Sequence, residues 1–238
     1  MCQVMEASSD PIRLNEEKDV NVFKILILGD SGTGKTCLVR RSVHSFFTEG
    51  YRLTIGVDFS LKVLPWSEDV EIRLQMWDLA GQDRFSHLSR LYFSKAVGAL
   101  LVCDQGNPLT LQGMVKWKKE LDSKVGHTGG VIIPTVILAN KEDLRSGENN
   151  SQEDLEMEEL ARDLGVSSWT RTSAKTGSGV EEGIRSLVWQ ILDREQTQSR
   201  ELERTDSVIR LPMDDQSRKL VTANAGDEIL LCSCVVYG

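Results

Sequence analysis

The residues most able to do chemistry lie in one short run, Gly29-Asp30-Ser31-Gly32-Thr33-Gly34-Lys35-Thr36, which matches G-x-x-x-x-G-K-[ST] in full. An apolar stretch (residues 22–28) precedes it and a helix-like stretch (residues 36–46) follows. Glycines at this spacing let backbone N–H groups turn inward onto phosphate oxygens, and the helix N-terminus adds partial positive charge. Lys35 reaches outer phosphates, and the Thr36 hydroxyl is placed to ligate Mg²⁺. Kinases, ATPases and GTPases share such a loop, so the residues further along must discriminate.

Asp78 closes a strand-like segment, where a carboxylate serves either as a Mg²⁺ partner or as a cap. Gly81, three residues on, allows a backbone N–H close to a terminal phosphate, and Gln82 has the side chain to orient water. Asn140-Lys141-Glu142-Asp143 follows an apolar run. A carboxylate at Asp143 accepts two N–H bonds from a guanine edge, which adenine cannot offer, with Asn140 and Lys141 bracing the loop.

These residues need elements to hold them. Residues 22–28, 97–103 and 133–139 are apolar runs of strand length, and the last two read as strands buried on both faces. Val57, Phe59, Leu61 and Val63 alternate with polar or small residues, as do Ile72, Leu74 and Met76, and the short connection 65–69 predicts an antiparallel hairpin. Leu111, Met114, Trp117, Leu121 and Val125 mark one helix face. Ser151 with Asp154 predicts a helix start that ends near Gly165, and Val180, Ile184, Leu187, Val188 and Ile191 mark a last helix. Strands alternating with helices predict a mainly parallel α/β sheet covered on both sides.

The chain divides into an N-terminal arm (residues 1–19), a body (20–193) and a polar tail (194–238) that reads as mostly disordered. Lys+Arg is 28 against Asp+Glu 36 in 238 residues, a net charge of −8, which argues against a nucleic-acid partner. No apolar run is long enough to suggest a transmembrane helix, no secretory signal is visible, and Cys2 stands where N-myristoylation needs glycine. The five cysteines fit no disulfide framework or zinc site; Cys37 and Cys103 read as small buried residues.

With TIGVDF at 54–59, WDLAGQDRF at 77–85, NKED at 140–143 and TSAK at 172–175, the body resembles the small GTPases of the Ras superfamily, specifically the Rab family. The resemblance covers residues 21–192. Leu79, VDFSLKVL and LDSKV are most similar to the subgroup of lysosome-related organelles. It implies the phosphate-loop NTPase fold of small GTPases: a mostly parallel six-stranded sheet with one antiparallel edge strand and about five helices. It also implies site roles. Ser31, Gly32, Thr33, Gly34, Lys35, Thr36, Cys37 and Gly81 would surround the phosphates, and Thr36, Thr54 and Asp78 would hold Mg²⁺. Gln82 would be catalytic. Phe47 would stack on guanine, which Asn140, Lys141 and Asp143 read while Ser173, Ala174 and Lys175 close over it. Phe59, Trp77 and Tyr92 would face effectors, with hairpin packing as the equal alternative.

Two departures are small: Asp83 replaces the usual Glu, and Thr33 a common Val. The tail departs more, since Cys232-Ser233-Cys234 is followed by four residues. Two prenyl groups on Cys232 and Cys234 would satisfy the two-signal rule for anchoring. The tail's acidic residues outnumber its basic ones, so attachment would rest on lipid. The implied protein is a GTP/GDP switch on the cytoplasmic face of intracellular membranes with a cytosolic pool, on lysosome-related or endosomal organelles. It would work with an exchange factor, a GTPase-activating protein and effectors. A nucleotide-bound scaffold with little hydrolysis is a second reading. A phosphate-loop kinase or ATPase is a third, opposed by NKED and TSAK.

Overall fold

The computed structural model describes residues 18–48, 50, 53–81, 90–125, 132–145 and 151–208, with backbone only for 201–208. The expected arm up to residue 17, Gln82, Asp83, Cys232 and Cys234 lie outside them. Six strands form one sheet in the order β2-β3-β1-β4-β5-β6. They are β1 (Asp19–Leu28), β2 (Val57–Pro65), β3 (Val70–Leu79), β4 (Gly98–Asp104), β5 (Thr135–Asn140) and β6 (Ser168–Arg171). β2 and β3 pair antiparallel and every other pair is parallel, so the antiparallel strand sits at the edge as expected. Five α-helices accompany the sheet among the described residues: α1 (Lys35–His44), α2 (Arg90–Phe93), α3 (Pro108–Val125), α4 (Ser151–Asp163) and α5 (Val180–Val208).

The two faces of the sheet carry separate apolar layers, and β1 shows why. Ile25 and Ile27 point to one side and pack with Leu38 and Val39 of α1 and Ile184, Leu187, Val188 and Ile191 of α5. Leu26 and Leu28 point to the other and meet Met114, Trp117 and Leu121 of α3 and Met157 and Ala161 of α4. A strand read by helices on both faces must be apolar at every position. β5 is accordingly buried throughout, and β4 nearly so. The edge hairpin differs: Ile72, Leu74 and Met76 are buried while the opposite face of β2 leaves Phe59, Leu61 and Val63 about half exposed. That alternation is the signature of a sheet covered on one side.

The chain forms two compact units, Met1–Asp193 and Arg194–Gly238. The first contains the sheet. In the second, the described backbone is helical through Val208, beyond the point where a disordered tail was expected to begin. Residues 194–208 contain neither Gly nor Pro, so nothing in the chain stops a helix there. No helix among the described residues is long and apolar enough to cross a membrane.

The functional residues fall where the parallel strands end. Gly29 follows β1, Asp78 lies near the end of β3, Asp104 ends β4, Asn140 ends β5 and Thr172 follows β6. Open α/β sheets place ligands in the crevice beyond these carboxyl ends.

Candidate nucleotide site

A cleft of about 380 Å³ opens at this edge. Ser31, Gly32, Gly34, Lys35, Thr36, Cys37, Phe47, Thr54, Gly81, Asn140, Lys141, Asp143, Ala174 and Lys175 all line it. Two other expected residues, Thr33 and Ser173, lie behind the wall. Thr33 is fully buried, its hydroxyl bonded to the Asp30 carbonyl at 3.0 Å. Ser173 donates its hydroxyl to Asp143 Oδ1 and holds that carboxylate from behind. Both side chains therefore support the cleft from behind.

At one end the phosphate loop wraps the Lys35 ammonium, which donates to the Gly29 carbonyl at 2.7 Å and the Asp30 carbonyl at 2.8 Å. Burial pushes this amine down to about 8, with Asp78 and Asp30 opposing the shift. Among the described residues no carboxylate pairs with it directly, so the site holds a buried cation with room for an anion. Gly34, at φ 94°, caps α1, and a Cβ there would come within 2.4 Å of Asn140 Nδ2. Gly81 is as closely set: a Cβ on it would lie 2.5 Å from both Lys35 Nζ and the Ser31 nitrogen. Any side chain there would collide with the loop, so the position requires glycine.

The three expected metal residues meet. Thr36 Oγ1 lies 2.7 Å from Thr54 Oγ1 and donates to Asp78 Oδ2. The Thr36 proton is thereby committed, so Thr54 is the donor to Thr36. Asp78 is 1% exposed, and its other oxygen, Oδ1, is buried without a partner. Burial raises its carboxyl above the usual range, partly offset by the Thr36 bond and Lys35. An orphaned carboxylate oxygen beside two hydroxyls is an all-oxygen donor set, which suits Mg²⁺ with substrate phosphates completing the shell.

The other end is tied together by Asn140, itself 1% exposed. Its Nδ2 donates to the Thr33 carbonyl at 2.8 Å and its Oδ1 accepts the Ala174 N–H at 3.1 Å. One amide thus joins the phosphate loop, the NKED turn and the TSAK turn. Lys141 takes a left-handed φ of 69° and reaches Asp104 Oδ2 at 2.7 Å. Asp143 sits in a single 3-10 turn (Glu142–Leu144) that starts there. Phe47 is half-buried against the core while lining the cleft. Phe46 lines it too, stacked on His44 with centroids 5.7 Å apart, and no spacing pattern marks it.

Phe59, Trp77 and Tyr92 do form a contiguous aromatic set. Phe59 and Trp77 are opposite in register with rings 5.9 Å apart, and Trp77 lies 6.3 Å from Tyr92. Lys24 Nζ stands 4.0 Å over the Trp77 ring. Hairpin packing holds for this group, yet Phe59 remains 52% exposed.

One contact has no local signal in the sequence. Asp30, a variable position of the phosphate motif, turns away from the cleft and accepts the Trp117 indole N–H at 2.9 Å. Gly113 on the same face of α3 makes room for it. Only the pairing of a loop residue with a helix 87 positions later would have exposed it.

A phosphate loop after β1, a lone carboxylate at the end of β3 and an Asn-Lys-x-Asp turn after β5 define a phosphate-loop nucleotide-binding α/β protein. The Ras family model matches residues 24–193. Similar proteins include mouse "Ras-related protein Rab-32", 44% identical over 177 residues, covering 74% of this chain and 78% of that one. "Ras-related protein Rab-32A" of Dictyostelium discoideum is 41% identical over 185 residues, 77% of this chain and 84% of the relative. Human "Ras-related protein Rab-7L1" is 38% identical over 168 residues, 71% and 81% of the two chains. The chain belongs to the Ras family, among its Rab members, and is a GTP hydrolase.

Proposed function

We propose that this GTPase is a slow, Mg²⁺-dependent switch that recruits effectors to a membrane in vesicle trafficking. The carrying observation is that one cleft is lined by the phosphate loop, by Thr36 and Thr54 beside the orphaned Asp78 oxygen, and by the Asp143 turn. Mg²⁺ held by Thr36, Thr54 and Asp78 would neutralise phosphate charge. Lys35 and the 31–36 backbone would hold the phosphates, and Asp143 would read guanine. Gln82 would orient a water for in-line attack on the γ-phosphorus; the bond to the bridging oxygen breaks, leaving GDP and phosphate.

The phosphate loop contains no arginine, which supports slow intrinsic turnover; one supplied in trans would add about 10³–10⁵. Thr54 would be held in place by the γ-phosphate and released after hydrolysis, changing the surface around Phe59, Trp77 and Tyr92 that effectors read. Prenyl groups on Cys232 and Cys234 would anchor the 194–238 tail. The organelle would be lysosome-related or endosomal, by resemblance to the Rab subgroup that shares its motifs.

Exchange of Asp143 for Asn tests the site at its most specific point. An amide cannot accept both guanine N–H bonds but can donate to the 2-carbonyl of xanthine. Competition binding should show preference passing from GTP to XTP. A variant that keeps its GTP preference would remove Asp143 as the base reader.

A further inference from the structure

Arg41 belongs to none of the motifs, yet it holds the base end of the cleft from behind. It lies on α1, the helix that begins with Lys35 and Thr36. Its guanidinium makes three hydrogen bonds, all to backbone carbonyls. Nε donates to Ala174 at 2.9 Å, Nη2 to Lys175, and Nη1 to Ser45 at 2.8 Å. Ser45 caps the helix in a left-handed conformation at φ 59° and returns its N–H to the Arg41 carbonyl at 3.0 Å. Among the described residues Arg41 pairs with no carboxylate, so its charge is directed onto these three oxygens.

Ala174 and Lys175 line the cleft on their other side. The turn that carries them is closed internally, the Gly177 N–H on the Ser173 carbonyl at 2.8 Å and the Ser173 N–H on the Ser178 carbonyl at 3.0 Å. It therefore moves as a unit. Among the described residues three side chains secure that unit to the rest of the molecule: Asn140 through the Ala174 N–H, Asp143 through the Ser173 hydroxyl, and Arg41 through the Ala174 and Lys175 carbonyls. A base lying against residues 174–175 would be held by this turn, and lifting the turn would break the Arg41 fork. A planar guanidinium serves two successive carbonyls at once, whereas an ammonium is a point donor.

We infer that Arg41 is a positioning residue that sets how long a guanine nucleotide stays bound, by latching the 173–178 turn to the helix that carries the phosphate contacts. This rests on the cleft being the guanine site. The latch touches neither phosphate nor the attacking water, so it acts on release and not on the bond-breaking step. It also acts on the base, which GDP and GTP share, so both nucleotides feel it alike.

The test uses the full chain loaded with fluorescent GDP or GTP and chased with excess unlabelled nucleotide, for Arg41→Ala, Arg41→Gln and Arg41→Lys. Arg41→Ala and Arg41→Gln should release both nucleotides about tenfold faster or more, in the same ratio, as expected for losing paired charge-assisted bonds. Arg41→Lys should fall between them and the parent. Single-turnover hydrolysis of GTP already bound should change less than about twofold, because a residue acting on the base splits release from chemistry. Should Arg41→Ala fail to fold, Arg41→Lys and Arg41→Gln carry the same comparison. Unchanged release in the folded variants, or acceleration confined to one nucleotide, would overturn the latch. A parent protein that fails to retain GDP would instead overturn the reading of the cleft.

Discussion

The two ends of the cleft are built differently. At the phosphate end, the Lys35 amine is held by carbonyls five and six residues away in the chain. At the base end, Asn140 bonds across 107 residues to Thr33 and across 34 to Ala174. The first is closed by local backbone geometry, and the second exists only once β1, β4, β5 and β6 are laid side by side in the sheet. The contrast is incomplete, because Asp30 fastens the phosphate loop to α3 through Trp117. It can be broken or sharpened by four changes.

Asn140→Ala should have the largest effect. It leaves the Thr33 carbonyl and the Ala174 N–H unpaired in a buried place, at about 1–3 kcal/mol each. We expect about 3 kcal/mol less stability in denaturant unfolding and roughly 100-fold weaker GDP binding. If only base selectivity changed and stability held, the two ends would be independent.

Gly113→Ala comes next. A Cβ there would stand 2.0 Å from Asp30 Oδ2, so the carboxylate or the helix must shift, costing about 1–3 kcal/mol. With Asp30→Ala already present, the same change should stabilise by about 0.5–1 kcal/mol, since alanine suits a helix interior better than glycine. The sign reversal in a double-mutant cycle is the measurement; equal effects in both backgrounds would detach the phosphate loop from α3.

Trp117→Phe removes a single indole bond to the Asp30 carboxylate. A loss of about 1–2 kcal/mol in urea unfolding is expected, with the GTP-over-XTP preference intact. A change in that preference would mean that α3 reaches the base end as well. Glu181→Gln is the control outside both ends. Its partners Lys62 and Arg185 lie 2.9 and 3.6 Å away, but Glu181 is 49% exposed, so solvent screens both pairs and the cost should stay below about 0.5 kcal/mol.

The same division between local and distant contacts governs what could be read in advance. The apolar runs of β4 and β5 and the alternation of β2 and β3 carry their burial pattern in their own residues, so they were legible. β6 was not: Ser168–Arg171 is four residues long and half-buried at every position, without a period to recognise. α2 has four residues and is too short for a helix face. Asp78 and the NKED turn were legible as polar groups that end apolar strand-like runs, whereas the place of Thr54 beside Thr36 came from the family resemblance. The residue types of Thr33 and Ser173 did not show that their side chains turn behind the cleft, to the Asp30 carbonyl and to Asp143. A motif lists residues without saying which way they turn.

What the sequence by itself determined is the set of local motifs: a glycine-rich loop with its lysine, hydroxyls and a carboxylate of the types that suit a cation, and a second carboxylate whose chemistry suits a guanine edge. It also determined the alternation of strands and helices, since burial on one or two faces is written in the spacing of apolar residues. Only the tertiary structure decided that Asn140 joins three turns, that Arg41 grips two carbonyls of one of them, and that Asp30 turns to Gly113 and Trp117. These contacts are made by polar side chains on backbone atoms or on residues far away in the chain. Backbone carbonyls and N–H groups are the same at every position, so no residue pattern announces which of them a side chain will find. That choice is made when the sheet brings the strand ends together.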